Sequence, residues 1–238
     1  MEKTFINILG GNASGKSTRV GCLVNYMHEK AGSYEPVIYF SNKVKKEIEV
    51  GRIYNINGVE YFVVGRFNNK GKWVGLDTAD FSTYDSRYKF IKYMFENFNI
   101  SFFIQEGYFN NRGYAFTKEV LDEQGCGVDK VIEFFILYDK VEQFLERTNN
   151  RTGKDRGLDW AENAPGWRDN EGQIKVLKRL QEEGTETELI TISIDAKKDY
   201  FVEYFFGVEY ECPKNKAELE EEERANPKED TNDILEDW

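Results

Sequence analysis

The residues best suited to do chemistry lie near the start of the chain, between Gly10 and Ser17. This segment reads GGNASGKS and matches the phosphate-loop pattern G-x-x-x-x-G-K-[ST] at every fixed position. Glycines let successive backbone N–H groups turn toward one phosphate, Lys16 can reach the β- and γ-phosphates of a nucleotide, and the Ser17 hydroxyl can bind Mg2+. We therefore expect ATP and Mg2+ as cofactors. The expected nucleotide-binding residues are Gly10, Asn12, Ala13, Ser14, Gly15, Lys16, Ser17 and Thr18.

The residues on either side of this loop have the pattern that a phosphate loop requires. Residues 4–9 read TFINIL and predict a buried strand that runs into the loop. Residues 18–27 place Val20, Leu23 and Met27 at helical spacing. The N-terminus of that helix adds a partial positive charge of roughly half a unit at the loop. A strand, a glycine loop and a helix in this order predict nucleotide binding.

Two further acidic segments supply candidates for the metal and for the general base. Glu106 ends the predicted strand Ile100–Ile104, where a carboxylate would face the loop and bind Mg2+ through water or position a substrate hydroxyl. Asp77 lies in a glycine-punctuated turn and is the first candidate for the base that accepts the proton of an acceptor hydroxyl. Asp80 and Glu106 are close competitors for that role. Ser17 and Glu106 are the expected metal ligands.

A cationic segment follows the fourth predicted strand. Arg147, Arg151, Lys154 and Arg156 occur with Asp155 as the only acidic residue among them between positions 147 and 156. Kinases place arginines on a lid that closes over the triphosphate and neutralises the transferred group, so we expect a lid over residues 147–169, with Arg147 and Arg151 as catalytic residues. Within this range Trp160 could stack on a base or pack in the lid hinge, as could Trp167.

Composition narrows the classes of function. The 238 residues carry a net charge of −11, and the tail from Pro213 to Trp238 has 10 acidic and 4 basic residues, which leaves −5 for the other 212. A net-acidic body argues against broad nucleic-acid binding, although a local basic cleft is compatible with it. Three widely spaced cysteines and a single histidine predict unpaired thiols in a reducing cytoplasm and exclude a multi-histidine metal site. No apolar run reaches the ~20 residues of a membrane helix.

The order of the predicted elements indicates a three-layer α/β fold of the P-loop NTPase and kinase type, with a mostly parallel five-stranded sheet. Asn57-Gly58 between alternating arms predicts a β-hairpin over residues 49–66, inserted on this sheet. We expect one kinase domain over residues 1–212 and an acidic tail over 213–238. The predicted strands are residues 4–9, 36–40, 100–104, 131–137 and 189–194, and the later predicted helices are residues 85–98, 117–124, 141–148, 172–183 and 200–206.

Three segments together resemble a group of bacteriophage phosphate-loop kinases. They are Gly65–Phe67, Gly71–Thr78 (GKWVGLDT) and Phe102–Gly107 (FFIQEG), and the similarity extends from about Phe5 to Leu180. The group includes the 5-hydroxymethyluracil DNA kinases, which phosphorylate the hydroxymethyl group of a modified base during DNA hypermodification. The resemblance implies a bacteriophage protein that acts in the host cytoplasm on modified-base DNA.

The expected function is an ATP-dependent kinase that transfers the γ-phosphate to a hydroxyl of a nucleotide-like acceptor. The resemblance names 5-hydroxymethyluracil in DNA as the acceptor, whereas the acidic charge fits a free nucleoside or nucleotide better. No N-K-x-D segment occurs, which disfavours a GTPase. A non-catalytic nucleotide-binding module stays open as the alternative of another class, and the several lid arginines weigh against it.

Overall fold

The computed structural model describes residues 1–41, 45–67, 73–75, 83–107 and 115–213. Within these residues the chain forms an α/β fold with seven helices, a seven-stranded sheet and a separate two-stranded sheet. The helices are α1 (Lys16–Ala31), α2 (Tyr84–Asn97), α3 (Lys118–Glu123), α4 (Val141–Thr152), α5 (Leu158–Asn163), α6 (Pro165–Glu183) and α7 (Tyr200–Phe206). The large sheet contains β1 (Thr4–Gly10), β2 (Glu35–Ser41), β3 (Lys46–Ile56), β4 (Val59–Val64), β7 (Phe102–Glu106), β8 (Lys130–Leu137) and β9 (Glu188–Ser193), and the small one β5 (Arg66–Phe67) and β6 (Trp73–Gly75).

The large sheet is mixed, and its strand order is β2-β3-β4-β7-β1-β8-β9. Strand β1 pairs in parallel with β7 on one side and with β8 on the other, while β4–β7 and β8–β9 are also parallel pairs. Strand β3 is antiparallel to both β2 and β4. The prediction of five strands was wrong because both arms of the hairpin pair within the sheet. The predicted second core strand, β2, instead lies at the edge.

The hairpin forms where the Asn-Gly signal predicts it, but it is not an insertion on the sheet. Asn57 and Gly58 connect β3 to β4 with positive φ angles of 53° and 81°, and the Gly58 N–H donates to Asn55 Oδ1 at 3.1 Å. The last four residues of β4, Tyr61–Val64, are all buried. A strand that is apolar on both faces must be covered on both faces, which explains why β4 pairs with β7 near the middle of the sheet.

Helices cover both faces of the sheet, and successive side chains of β1 point alternately to the two faces. Ile6 and Ile8 belong to a cluster with α1 and α7, where Leu23 and Phe201 are fully buried. Phe5 faces the opposite side, against α2 and α3. Leu9, also on that side, contacts a cluster built by Val176, Leu177 and Leu180 of α6. The fold therefore has helix, sheet and helix layers.

The cationic segment is more helical than its polar composition predicts. Helix α4 continues to Thr152, α5 lies within the predicted loop, and α6 begins at Pro165. Proline suits the first turn of a helix because it lacks the N–H group that would have no partner there. The intervening turn is fixed by Asn149, whose side chain donates to Arg156 O and accepts from Arg156 N. The range predicted as a lid is therefore mostly built of three helices.

Two cysteines predicted as unpaired thiols form a disulfide. Cys22 of α1 bonds Cys212, which follows α7, over a sequence separation of 190 and with a Cα–Cα distance of 5.3 Å. The pair forms because α7 and the segment after it pack on α1, with the Tyr26 and Phe206 ring centroids 4.8 Å apart. Among the described residues Cys126 remains a buried thiol. The prediction of a reducing compartment rested on unpaired thiols, so this disulfide removes its support. In the described ranges no helix is long and apolar enough to cross a membrane.

Candidate active site

The Gly10–Ser17 loop connects the end of β1 to the start of α1. Gly15 caps α1 with φ 80°, and Ala13 also adopts a positive φ of 61°. A Cβ on Gly15 would lie 2.7 Å from Arg19 Nη1, so both the backbone angle and the available space require glycine here. The loop thus has the tight, left-handed turns that direct consecutive N–H groups to one side.

Residues far along the chain hold this loop from behind. The Tyr138 hydroxyl donates to Asn12 O at 2.9 Å, and burial raises the Tyr138 pKa, so the hydroxyl stays protonated as a donor. A Cβ on Gly11 would lie 2.9 Å from Gly166 O, at the start of α6. Asn170, one turn later, bonds both the N–H and the C=O of Tyr138. The first turns of α6 and the end of β8 therefore position the loop.

Three of the predicted site residues meet at the start of α1. Lys16 Nζ donates to Gly10 O at 2.6 Å and to Gly11 O at 3.1 Å. Ser17 Oγ donates to Glu106 Oε1 at 2.7 Å. The contact follows from the parallel pairing of β1 with β7, which places the carboxyl ends of both strands at one edge of the sheet. The structure thus brings Lys16, Ser17 and Glu106 together as expected.

The predicted catalytic arginines line the same cavity as the loop. Arg147, Asn150 and Arg151 are three and four residues apart on α4, so they lie on one face of that helix. The cavity measures about 650 Å³. Its lining consists of Asn12, Ala13, Ser14, Gly15, Lys16, Ser17, Thr18, Glu106, Gly107, Arg147, Asn150 and Arg151. Gly10 is the one predicted nucleotide-binding residue that does not line the cavity. Its carbonyl oxygen accepts a hydrogen bond from Lys16 Nζ instead.

The other aromatic and cationic residues of the segment face elsewhere. Trp160 stacks on Phe144 with the ring centroids 6.0 Å apart, and the Arg156 guanidinium lies 4.2 Å from the centroid of the Trp160 ring. Trp167 also contacts the Phe144 ring. Both tryptophans therefore pack within the helical segment, which is the packing alternative considered from the sequence.

Asp77, the expected general base, and Asp80 lie outside the described residues. The nearest described element is β6, which ends at Gly75 and pairs with β5. Trp73 of β6 is buried and donates from Nε1 to Val64 O at 3.3 Å. A Cβ on Gly65 would lie 2.0 Å from that same nitrogen, so glycine at position 65 makes room for the indole. This packing fixes Trp73, four positions before Asp77 in the sequence.

The donor set fits a magnesium ion that completes its coordination with phosphates and water. Ser17 and Glu106 offer a hydroxyl and a carboxylate, and Mg2+ prefers oxygen ligands and usually takes only one or two from protein. Among the described residues no group of three or more His, Cys, Asp or Glu side chains could hold a metal ion. The site therefore suits a metal that arrives with its nucleotide.

A buried polar row lies in the sheet beneath the loop and has no counterpart among the sequence predictions. Asn7 Nδ2 donates to Glu133 Oε1, and Gln105 Nε2 donates to Asn7 Oδ1, both at 3.1 Å. These residues are in register on β1, β7 and β8. Burial raises the pKa of Glu133 to about 7, against the opposing effect of the Asn7 hydrogen bond. Gly107 leaves room for this row, since a Cβ there would lie 2.8 Å from Asn7 Oδ1.

Sequence reasoning also missed three residues at the site. Asn150 and Gly107 line the cavity, and Arg19 is buried behind the loop. The helical spacing of Asn150 from Arg147 was the available signal for the first, once α4 is extended past Thr148. Arg19 gave no signal, because an arginine in the first turns of a helix is ordinarily exposed.

Comparisons with known proteins add little to this geometry. No family model matches the chain, and no curated protein does. One solved structure, that of the YGR205w protein, is similar at a TM-score of 0.36 and 12% identity, with 82% of this chain and 87% of that chain covered. A similarity this weak carries no inference about the chain. The proposed function therefore rests on the geometry of the candidate site alone.

Proposed function

We propose that the chain is an ATP- and Mg2+-dependent kinase that transfers the γ-phosphate of ATP to a hydroxyl group. The observation that carries the proposal is one cavity lined by residues 12–18 of the loop and α1, by Glu106 and by two arginines of α4. The loop supplies N–H groups and Lys16 for a triphosphate. The arginines Arg147 and Arg151 face it, where they neutralise the charge of the transferred group.

Each side chain of the proposed site has its own role in the transfer of the γ-phosphate. The acceptor oxygen attacks the γ-phosphorus, the bond between that phosphorus and the β–γ bridging oxygen breaks, and ADP leaves. The hydroxyl proton goes to Asp77, the base assigned from the sequence. Lys16 exchanges its bonds to Gly10 O and Gly11 O for phosphate oxygens. Ser17 and Glu106 would hold a magnesium ion, which would screen the phosphate charge.

The first acceptor we propose is 5-hydroxymethyluracil in DNA, on the strength of the resemblance of three segments to the phage kinases. Free nucleosides and nucleotides are the second candidate, favoured by the net charge of −11. Polyanionic DNA is repelled by an acidic surface unless a local basic cleft receives it. The two candidates share the donor half of the reaction and differ only in the acceptor.

One assay distinguishes these acceptors and tests the reaction itself. ATP carrying labelled γ-phosphate is incubated with the protein and with DNA containing 5-hydroxymethyluracil, with unmodified DNA, or with free deoxynucleosides and deoxynucleotides. We expect label in the modified DNA, and no transfer by Lys16→Ala. Label on free nucleosides or nucleotides alone would reject the DNA acceptor. ATP binding without transfer to any acceptor would favour a non-catalytic nucleotide-binding module.

The base assignment has its own test. Asp77→Asn keeps the size of the side chain but removes the proton acceptor, so we expect ATP binding to persist and transfer to fall at least a hundredfold. Asp80→Asn is the matched control, with transfer expected to persist. Transfer that survives in Asp77→Asn and is lost in Asp80→Asn would move the base to Asp80.

A further inference from the structure

Arg147 is held by a single nitrogen atom. Its Nη2 donates to Ile194 O and to Asp195 Oδ1, both at 3.0 Å. Its Nη1 and Nε form no hydrogen bond to the rest of the described chain. A guanidinium anchored in this way keeps a fixed direction and still has N–H groups to offer a phosphate. Arg151, one turn later on α4, is exposed and has no such anchor among the described residues.

The segment that anchors Arg147 is itself tied to the loop. Arg19 is 4% exposed, and its guanidinium donates to Ser14 O at 3.0 Å and to Ile194 O at 2.7 Å. It also donates to Ala196 O and Lys197 O. Arg19 and Arg147 thus share one carbonyl acceptor, that of Ile194. A rigid path of hydrogen bonds runs from the loop to the segment after β9 and on to α4.

The negative charge of Asp195 partly compensates the positive charges of Arg19 and Arg147. Burial has the largest effect on the pKa of Arg19 and lowers it. The nearby charge of Arg147 lowers this pKa further, whereas the charge of Asp195 raises it. The other oxygen of Asp195 accepts from Gln143 Nε2 at 3.0 Å. Gln143 lies one turn before Arg147 on the same helix, so Asp195 contacts two successive turns of α4.

We propose that Asp195 is a positioning residue that orients the Arg147 guanidinium toward the phosphates of the bound nucleotide. The proposal rests on the proposed kinase function. Asp195 does not line the cavity and acts only through Arg147. Because an oriented arginine loses less rotamer entropy on binding than a mobile one, the loss of Asp195 weakens the contribution of Arg147 without removing its charge.

A double-mutant cycle tests this coupling. Asp195→Asn and Arg147→Ala are made singly and together, and kcat, KM for ATP, and the Kd of ATP are measured for each. We expect Asp195→Asn to lower kcat/KM about tenfold in the original chain and less than twofold in the Arg147→Ala background, because the residue it positions is then absent. Unfolding midpoints of all four proteins show whether a loss of activity reflects a loss of folding.

Two further variants separate positioning from general effects. Glu146→Gln removes a carboxylate from the same helix without touching Asp195, and we expect less than a twofold change. Gln143→Ala removes the other bond to Asp195, so we expect a smaller loss than in Asp195→Asn, and one that disappears in the Arg147→Ala background. Equal losses from Asp195→Asn in both backgrounds, or a loss of the same size in Glu146→Gln, would overturn the proposal. If the unaltered protein binds no ATP, the proposed function fails instead.

Discussion

Asn7, Gln105 and Glu133 lie side by side on three neighbouring strands, in the interior of the sheet. Glu133 lies between apolar residues in the middle of β8 and is 2% exposed. One of its oxygens accepts from Asn7, while Oε2 is buried with no partner in the described chain. A charged carboxylate in this position is costly, which is why its pKa rises to about 7.

Glu133 makes folding stability depend on pH. Because its pKa is about 7 in the folded protein and about 4.5 in the unfolded chain, the folded state binds the proton more tightly. Its contribution to stability is full below pH 4.5 and is lost as the pH rises through 7. Glu133→Gln keeps an acceptor for Asn7 and cannot ionise. We expect the variant to be more stable than the original chain at pH 8, by on the order of 3 kcal/mol, and to show little difference near pH 4.

Urea unfolding at pH 4, 6 and 8 measures this difference. Glu123→Gln on α3 is the control, because Glu123 is exposed. A difference between the Glu133→Gln and original curves that does not change with pH would contradict a buried, protonated Glu133.

At the scale of elements, α4 contributes both to the cavity and to the aromatic packing of the helical segment. Arg147, Asn150 and Arg151 line the cavity, and Phe144, one turn before Arg147, stacks with Trp160. Arg156, beyond the end of α4, lies over the ring of that tryptophan. The same run of cations therefore contributes both to the site and to packing, a division that depends on where the helix ends.

This division predicts different effects for two arginines that are five positions apart. We expect Arg151→Ala to weaken ATP binding about tenfold, since it removes a charged donor from the cavity, and Arg156→Ala to change it less than twofold. Calorimetric titration with ATP at fixed magnesium and salt concentrations gives both affinities. Comparable losses in the two variants would mean that both cations contribute only long-range charge, and would contradict the assignment of Arg151 to the site.

At the scale of the whole molecule, the Cys22–Cys212 disulfide connects the first helix to the end of the described chain. Tyr210 adds to this contact by donating its hydroxyl to Glu29 Oε1 and packing against Tyr26. The segment after α7 is thereby fastened to α1, the helix that begins at Lys16. The stability of the Gly10–Ser17 loop is therefore coupled to the segment at the end of the described residues.

Loss of this bond is expected to destabilise the whole fold. A disulfide that closes a long loop restricts the unfolded chain, and its removal typically costs about 2–4 kcal/mol. We expect Cys212→Ser to lower the free energy of unfolding by that amount, and reductant to lower the original protein to the same level. Chemical unfolding with and without reductant measures both. Reductant should leave Cys212→Ser unchanged; identical stability of the oxidised original protein and the variant would contradict a stabilising bond.

The sequence alone predicted the local features. The glycine spacing of residues 10–17, the apolar runs of β1 and β8, and the helical spacing in α1 and α2 each depend on neighbouring residues, and the structure has elements at these places. Asn57-Gly58 predicted its hairpin for the same reason, since a two-residue turn with two positive φ angles is a local requirement. Parallel pairing also placed Glu106 beside Ser17, at the strand end where the sequence predicts a carboxylate that faces the loop.

Only the tertiary structure decided which distant residues meet. Four contacts join segments that are far apart in the chain. They are the pairing of β4 with β7 inside the sheet, the contact of the Asp195 carboxylate with Arg147, the buried polar row of Asn7, Gln105 and Glu133, and the Cys22–Cys212 disulfide. No local pattern marks such partners, because a buried carboxylate or an anchored arginine differs from an exposed one only in its surroundings. The sequence therefore determined the loop, and the packing of α4, α6 and α7 determined what surrounds it.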